Sequence, residues 1–131
     1  MDFTIRCNLP LPTGKTVREY EQGLKGFKLF DSADIGSFHA KVAVEGQERF
    51  IKGSTCNGLI VDVELIELQP HDTFEGVPVT LRPKKFAKKL TKSGVKASIE
   101  DDGVVIEDKS VSMYIEENEV SSICWSFSSE A

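Results

Sequence analysis

Two successive β-α-β-β-β units, forming an α+β fold with two helices packed on antiparallel sheets, are what the order of hydrophobic patterns predicts for this chain. Two observations carry the prediction. Only two segments repeat apolar residues at helical spacing, and each follows one strand and precedes at least three; the whole order then restarts after Pro70-His71-Asp72. The halves share little sequence identity, so the repetition is one of element order. With 131 residues, 40% hydrophobic and 28% charged, the chain suits a single domain over 1–131. Its first repeat covers about 1–68 and its second about 76–128.

Asp2 to Cys7 opens the chain as a strand, with Phe3, Ile5 and Cys7 on one side. Prolines and a glycine fill Leu9 to Gly14, after which Val17, Tyr20, Leu24 and Phe27 recur at helical spacing. The far side of that first helix carries Lys15, Arg18, Gln22 and Lys25, diluted by Glu19 and Glu21, and Gly23 and Gly26 weaken it. Phe38 to Val44 alternates as a strand, Glu45-Gly46-Gln47 turns the chain into Arg49 to Lys52, and Asn57-Gly58 signals a tight hairpin into Leu59 to Leu68. Glu75-Gly76 marks another turn before a strand from Val77 to Leu81. Beyond the second helix, Val95 to Ile99, Val104 to Glu107, Val111 to Ile115 and Val120 to Phe127 read as strands, the last placing Ile123, Trp125 and Phe127 on one inner face.

The second helix carries the clearest functional signal. From Pro83 to Lys92, at about 100° per residue, Pro83, Phe86, Ala87 and Leu90 share one arc and Lys84, Lys85, Lys88, Lys89 and Lys92 the other. Proline suits the first helical position, where an N–H has no partner to lose, and Ser93-Gly94 supplies the stop. No acidic residue occurs between Gly76 and Ile99, so the lysines have no counterion nearby in sequence.

Composition narrows the function classes. A net charge of −5 argues against a protein that coats nucleic acid with its whole surface, and leaves room for one basic face. Charge is segregated: beyond Gly94 only Lys96 and Lys109 are basic, against Glu100, Asp101, Asp102, Glu107, Asp108, Glu116, Glu117, Glu119 and Glu130. Cys7, Cys56 and Cys124 lie far apart without a paired-cysteine motif, and His39 and His71 do not complete a metal set, so reduced structural thiols and no metal or other cofactor are expected. Cys7 and Cys124 fall in predicted strands and Cys56 in a predicted turn. No nucleophile-base spacing, phosphate-cradling glycine loop or carboxylate pair points to an enzyme. Met1 to Gly14 lacks the features of a secretory signal and no apolar run spans a bilayer, so cytoplasmic residence without membrane contact is expected.

The repeated order, with cationic helices, resembles one domain of a DNA polymerase sliding clamp, of the beta-clamp and proliferating-cell-nuclear-antigen type found in bacterial, phage and eukaryotic replication rings. Met1-Asp2-Phe3-Thr4-Ile5 is similar to the opening strand of clamp subunits, and Val63 to His71 followed by Val77 to Leu90 to the bacterial mid-domain crossover. Val95 to Ile115, turning at Glu100-Asp101-Asp102-Gly103, is similar to the closing strands of phage and bacterial clamps. The resemblance covers nearly the whole chain, loosely. It implies a non-enzymatic replication processivity factor on double-stranded DNA, with helices lining a central hole. The implied DNA-facing residues are Arg82, Lys84, Lys85, Lys88, Lys89 and Lys92, joined by Lys15, Arg18, Lys25 and Lys28. Family rings use about six such domains, so this chain is expected to act as a homo-oligomer, with a DNA polymerase or clamp loader as further partner. The alternative is a regulatory protein whose acidic segment from Glu100 to Glu119 occupies a basic partner, as a clamp modulator, a phage inhibitor or a nucleic-acid mimic.

Overall fold

Tight hairpins set most of the chain's path. Glu45 and Gly46 have φ of 50° and 79°, Asn57 and Gly58 51° and 80°, and Glu75 and Gly76 48° and 80°. Two successive positive φ angles give the twist that matches paired strands, and glycine reaches them without a Cβ penalty. The predicted turns at these three places are therefore all present. In the computed structural model, residues 1–32, 35–106 and 110–127 are described. They form a mixed α+β fold of two helices and eleven strands, divided into two compact units.

One unit comprises Leu9–Leu65 with Ser126 and Phe127. It contains helix α1 (Val17–Gly23) and strands β2 (Lys25–Ser32), β3 (Ile35–Val44), β4 (Gln47–Cys56) and β5 (Leu59–Leu65), which neighbour one another in chain order as an antiparallel meander. One face of the meander is buried: Phe38, Ala40, Val42, Ile51, Ile60 and Val63 pack with Tyr20 and Leu24. Tyr20 meets Phe38 edge-on at 5.8 Å and Phe27 stacks on Phe38 at 5.4 Å, so three rings tie helix and sheet together. Gly53 allows the close approach, since a Cβ there would strike the Asp62 carbonyl and the Phe38 ring.

The other unit comprises Met1–Asn8 and Ile66–Trp125. Strand β1 (Asp2–Phe3) runs parallel to β6 (Thr73–Phe74), which turns through Glu75-Gly76 into β7 (Val77–Pro78). Helix α2 (Pro83–Lys92) follows, then the antiparallel meander β8 (Ala97–Glu100), β9 (Gly103–Ile106), β10 (Val111–Glu116) and β11 (Glu119–Ser126). Phe3, Phe74, Phe86, Leu90, Val104, Ile106, Met113, Ile123 and Trp125 are fully or almost fully buried. Trp125 meets Phe3 edge-on at 6.0 Å and its indole N–H donates to the Thr4 carbonyl at 2.9 Å, so the C-terminal strand is core. The buried Asp72 carboxylate accepts the Gln69 N–H at 2.8 Å and faces the Met1 ammonium at 3.5 Å.

Most expected elements are present with altered bounds, beside two strands that were not expected, β2 and β6. The opening strand stops at Phe3 rather than Cys7, because β6 offers only Thr73 and Phe74 as partners and the Ile5 N–H turns aside to the Glu75 carboxylate. The strand expected over Val77 to Leu81 pairs only through Pro78, and the Leu59 strand ends at Leu65. Of the thiols, Cys7 lies outside any strand, Cys56 ends β4 and Cys124 lies in β11; none is in a disulfide. Glu107, expected to close the Val104 strand, lies outside the described residues.

The first predicted helix is the larger correction. It ends at Gly23; Leu24 adopts φ −117° and ψ 140°, Gly26 turns with φ 64°, and the chain continues as a strand. Lys25 and Lys28 therefore sit on β2, opposite Lys41 and His39, and not on a helix. The glycines remove helical stability just where Phe27 can gain a stacked partner by extending.

Candidate nucleic-acid interface

Helix α2 exists because its apolar residues recur on one face. Pro83, Phe86, Ala87 and Leu90 are buried, with Phe86 and Leu90 at 0% exposure. Burial of Phe86 and Leu90 contributes about 1.5–3 kcal/mol each, which helps hold a ten-residue helix that would not persist alone. Its end is closed by Ser93, whose N–H and hydroxyl both reach the Leu90 carbonyl, and by Gly94 with φ 101°.

That packing fixes what remains outside. Lys84, Lys85, Lys88, Lys89 and Lys92 are all exposed, and among the described residues no carboxylate stands within ion-pair distance of any of them. Like charges at spacings of three and four repel along one side of a helix. Lys84 and Lys85 also occupy the first turn, where no acidic residue is present and where the helix dipole already places positive potential. The stripe is thus electrostatically strained in isolation and chemically suited to a row of anions.

Phosphodiesters fit this arrangement better than a single small anion does. A lysine ammonium binds phosphate as a compact charge on a flexible stem and reads no base, so a row of them holds a backbone without fixing register.

The remaining predicted residues fall into separate places. Arg82 immediately precedes α2, and its guanidinium donates to the Asn118 carbonyl at 3.3 Å, which directs it toward the β10–β11 turn. In the other unit, Arg18 is exposed on α1, while Lys15 precedes that helix with its ammonium 4.1 Å from the centre of the Phe127 ring. Thr16 caps α1 by accepting the Glu19 N–H at 3.1 Å, and its hydroxyl donates to the Glu19 carboxylate at 2.8 Å. Lys25 pairs with Glu48 at 3.5 Å, and both it and Lys28 belong to the sheet. Among the described residues predicted as sites, the α2 lysines are the ones that share one helix face.

An acidic counterpart gathers in the α2 unit. The β8–β9 and β10–β11 turns lie at the same end of the meander: Gly103 is opposite Tyr114, and the Ile115 N–H donates to the Asp102 carbonyl at 2.7 Å. Glu100, Asp101, Asp102, Glu116, Glu117 and Glu119 are exposed there. Among the described residues, no group of three His, Cys, Asp or Glu side chains is placed to hold a metal ion, and no helix is long and apolar enough to cross a membrane.

No protein-family model, curated protein or solved structure matches the chain.

Proposed function

We propose that this protein is a non-enzymatic, clamp-like binder of duplex DNA that holds the phosphate backbone on the lysine face of α2 and serves replication as a processivity or scaffold factor. The observation that carries the reading is a five-lysine face with its apolar side locked into a core and no carboxylate beside it among the described residues. The element order lends it support in outline: each unit contains one helix followed by an antiparallel meander, with four strands after α1 where the resemblance to sliding clamps implies three.

Binding of this kind is weak, independent of sequence and sensitive to salt, because it consists of counterion release from phosphates. Persistence on DNA must then come from topology. Several copies, about six by analogy with clamp rings, would surround the duplex and let their lysines exchange phosphates as the ring slides. Two measurements test the proposal together. Replacing Lys84, Lys85, Lys88 and Lys89 with glutamate abolishes duplex binding at low salt, and light scattering of the native protein gives a multi-copy mass. Unchanged binding by the variant refutes the DNA-facing role of α2, and a strict monomer at high concentration removes the ring.

The convergence of the two acidic turns favours a second reading. A surface carrying Glu100 to Asp102 beside Glu116 to Glu119 can occupy a basic groove on another protein, as a clamp modulator, inhibitor or nucleic-acid mimic does. Recovery of replication proteins from host lysate, with no measurable affinity for DNA, is the result that would favour it.

A further inference from the structure

The β2–β5 meander has its core on one face, so its other face has no packing duty of its own. That face nevertheless bears three exposed rings on adjacent strands: Phe30 on β2, His39 on β3 and Phe50 on β4. Phe30 and Phe50 are 52% and 49% exposed, and the Phe30 and His39 centroids are 5.1 Å apart with planes inclined at 59°. Lysines alternate with the rings. Lys28 is opposite His39, His39 opposite Lys52, and Lys41 opposite Phe50 with its ammonium 5.4 Å from that ring's centre. Among the described residues, acids of the face are engaged: Glu48 meets both Lys25 and Lys41 at 3.5 Å, Glu64 meets Lys52 at 3.8 Å, and Asp62 accepts the Ser54 N–H at 2.9 Å. Lys28 has no carboxylate within ion-pair distance among the described residues.

We propose that this sheet face is a stacking platform for single-stranded polynucleotide. Unpaired bases lay their π-faces on Phe30, His39 and Phe50, and the intervening phosphates meet Lys28 and exchange with Glu48 and Glu64 for Lys41 and Lys52. A duplex cannot use the platform, because its bases are already stacked on one another and turned inward. Recognition by π-face tolerates any base, so the site discriminates strandedness and not sequence. The proposal is independent of the α2 face, since its residues belong to the other unit.

Fluorescence anisotropy with labelled oligo(dT) and oligo(U), and a mixed-sequence duplex for comparison, tests the assignment. Phe30→Ala and Phe50→Ala are each expected to weaken single-strand binding roughly tenfold or more, with duplex affinity unchanged. Phe50→Trp retains binding and Phe50→Leu does not, because leucine keeps apolar area without a π-face. Charge reversal on α2 leaves single-strand binding in place. Lys28→Gln with Lys52→Gln provides a second route, lowering affinity and salt dependence without touching a ring. The assignment is overturned if the native protein binds neither oligomer, if the alanine variants bind as well as the native chain, or if leucine substitutes fully for Phe50. It is equally overturned if the alanine changes act only by altering the solution mass, which would mark the face as a contact between copies.

Discussion

Lys84 and Lys85 occupy positions that helix physics disfavours. The first turn of a helix stabilises carboxylates through the dipole, and α2 has lysines there and no acid. Each is followed four residues later by another lysine, which adds like-charge repulsion. A local rule broken without local compensation is characteristic of a functional surface. The double change Lys84→Glu and Lys85→Glu is therefore expected to raise fold stability by about 0.3–1 kcal/mol at low salt while weakening duplex binding. Thermal melting beside a binding isotherm checks both directions at once. A variant that lost stability as well as affinity would mean that the lysines serve the fold.

At the scale of elements, the lysine face proposed for α2 is held outward by the helix's buried side. Leu90 has no exposure, so Leu90→Ala is expected to cost about 2–5 kcal/mol in urea unfolding. A smaller loss than about 1 kcal/mol would show that the helix is not docked as described. This helix was legible in the sequence because every signal agreed: Pro83 at its start, Ser93-Gly94 at its end, apolar residues on one arc and lysines on the other. Strand β2 was not, because Val17, Tyr20, Leu24 and Phe27 satisfy helical spacing even though the chain extends after Gly23. Phe27-Lys28-Leu29-Phe30 offers no clean period-two alternation, because Phe30 is apolar on the exposed side, and the extended path is fixed by Phe38 supplying a stacked partner for Phe27. With β2 went the exposed ring of Phe30 and the face to which it belongs. The short β1 had a similar cause: alternation extends to Cys7 in the sequence, but strand length depends on a pairing partner, and β6 offers two residues. The turn at Glu117-Asn118, with φ of 52° and 62°, carries no glycine to announce it.

At the scale of the whole chain, a net charge of −5 coexists with a local face of five exposed lysines on α2 and with exposed acids at the β8–β9 and β10–β11 turns. An acidic background limits non-specific adhesion, so the proposed duplex binding is expected to depend on the lysine face. The salt dependence of duplex affinity tests this most directly. For the native protein, log K against log salt concentration is expected to fall steeply, and replacing Lys84, Lys85, Lys88 and Lys89 with glutamine should reduce the slope by roughly 0.9 for each phosphate that the substituted lysines no longer neutralise. A slope identical in the native and substituted proteins would contradict the account, because the phosphates would then be held somewhere other than on α2.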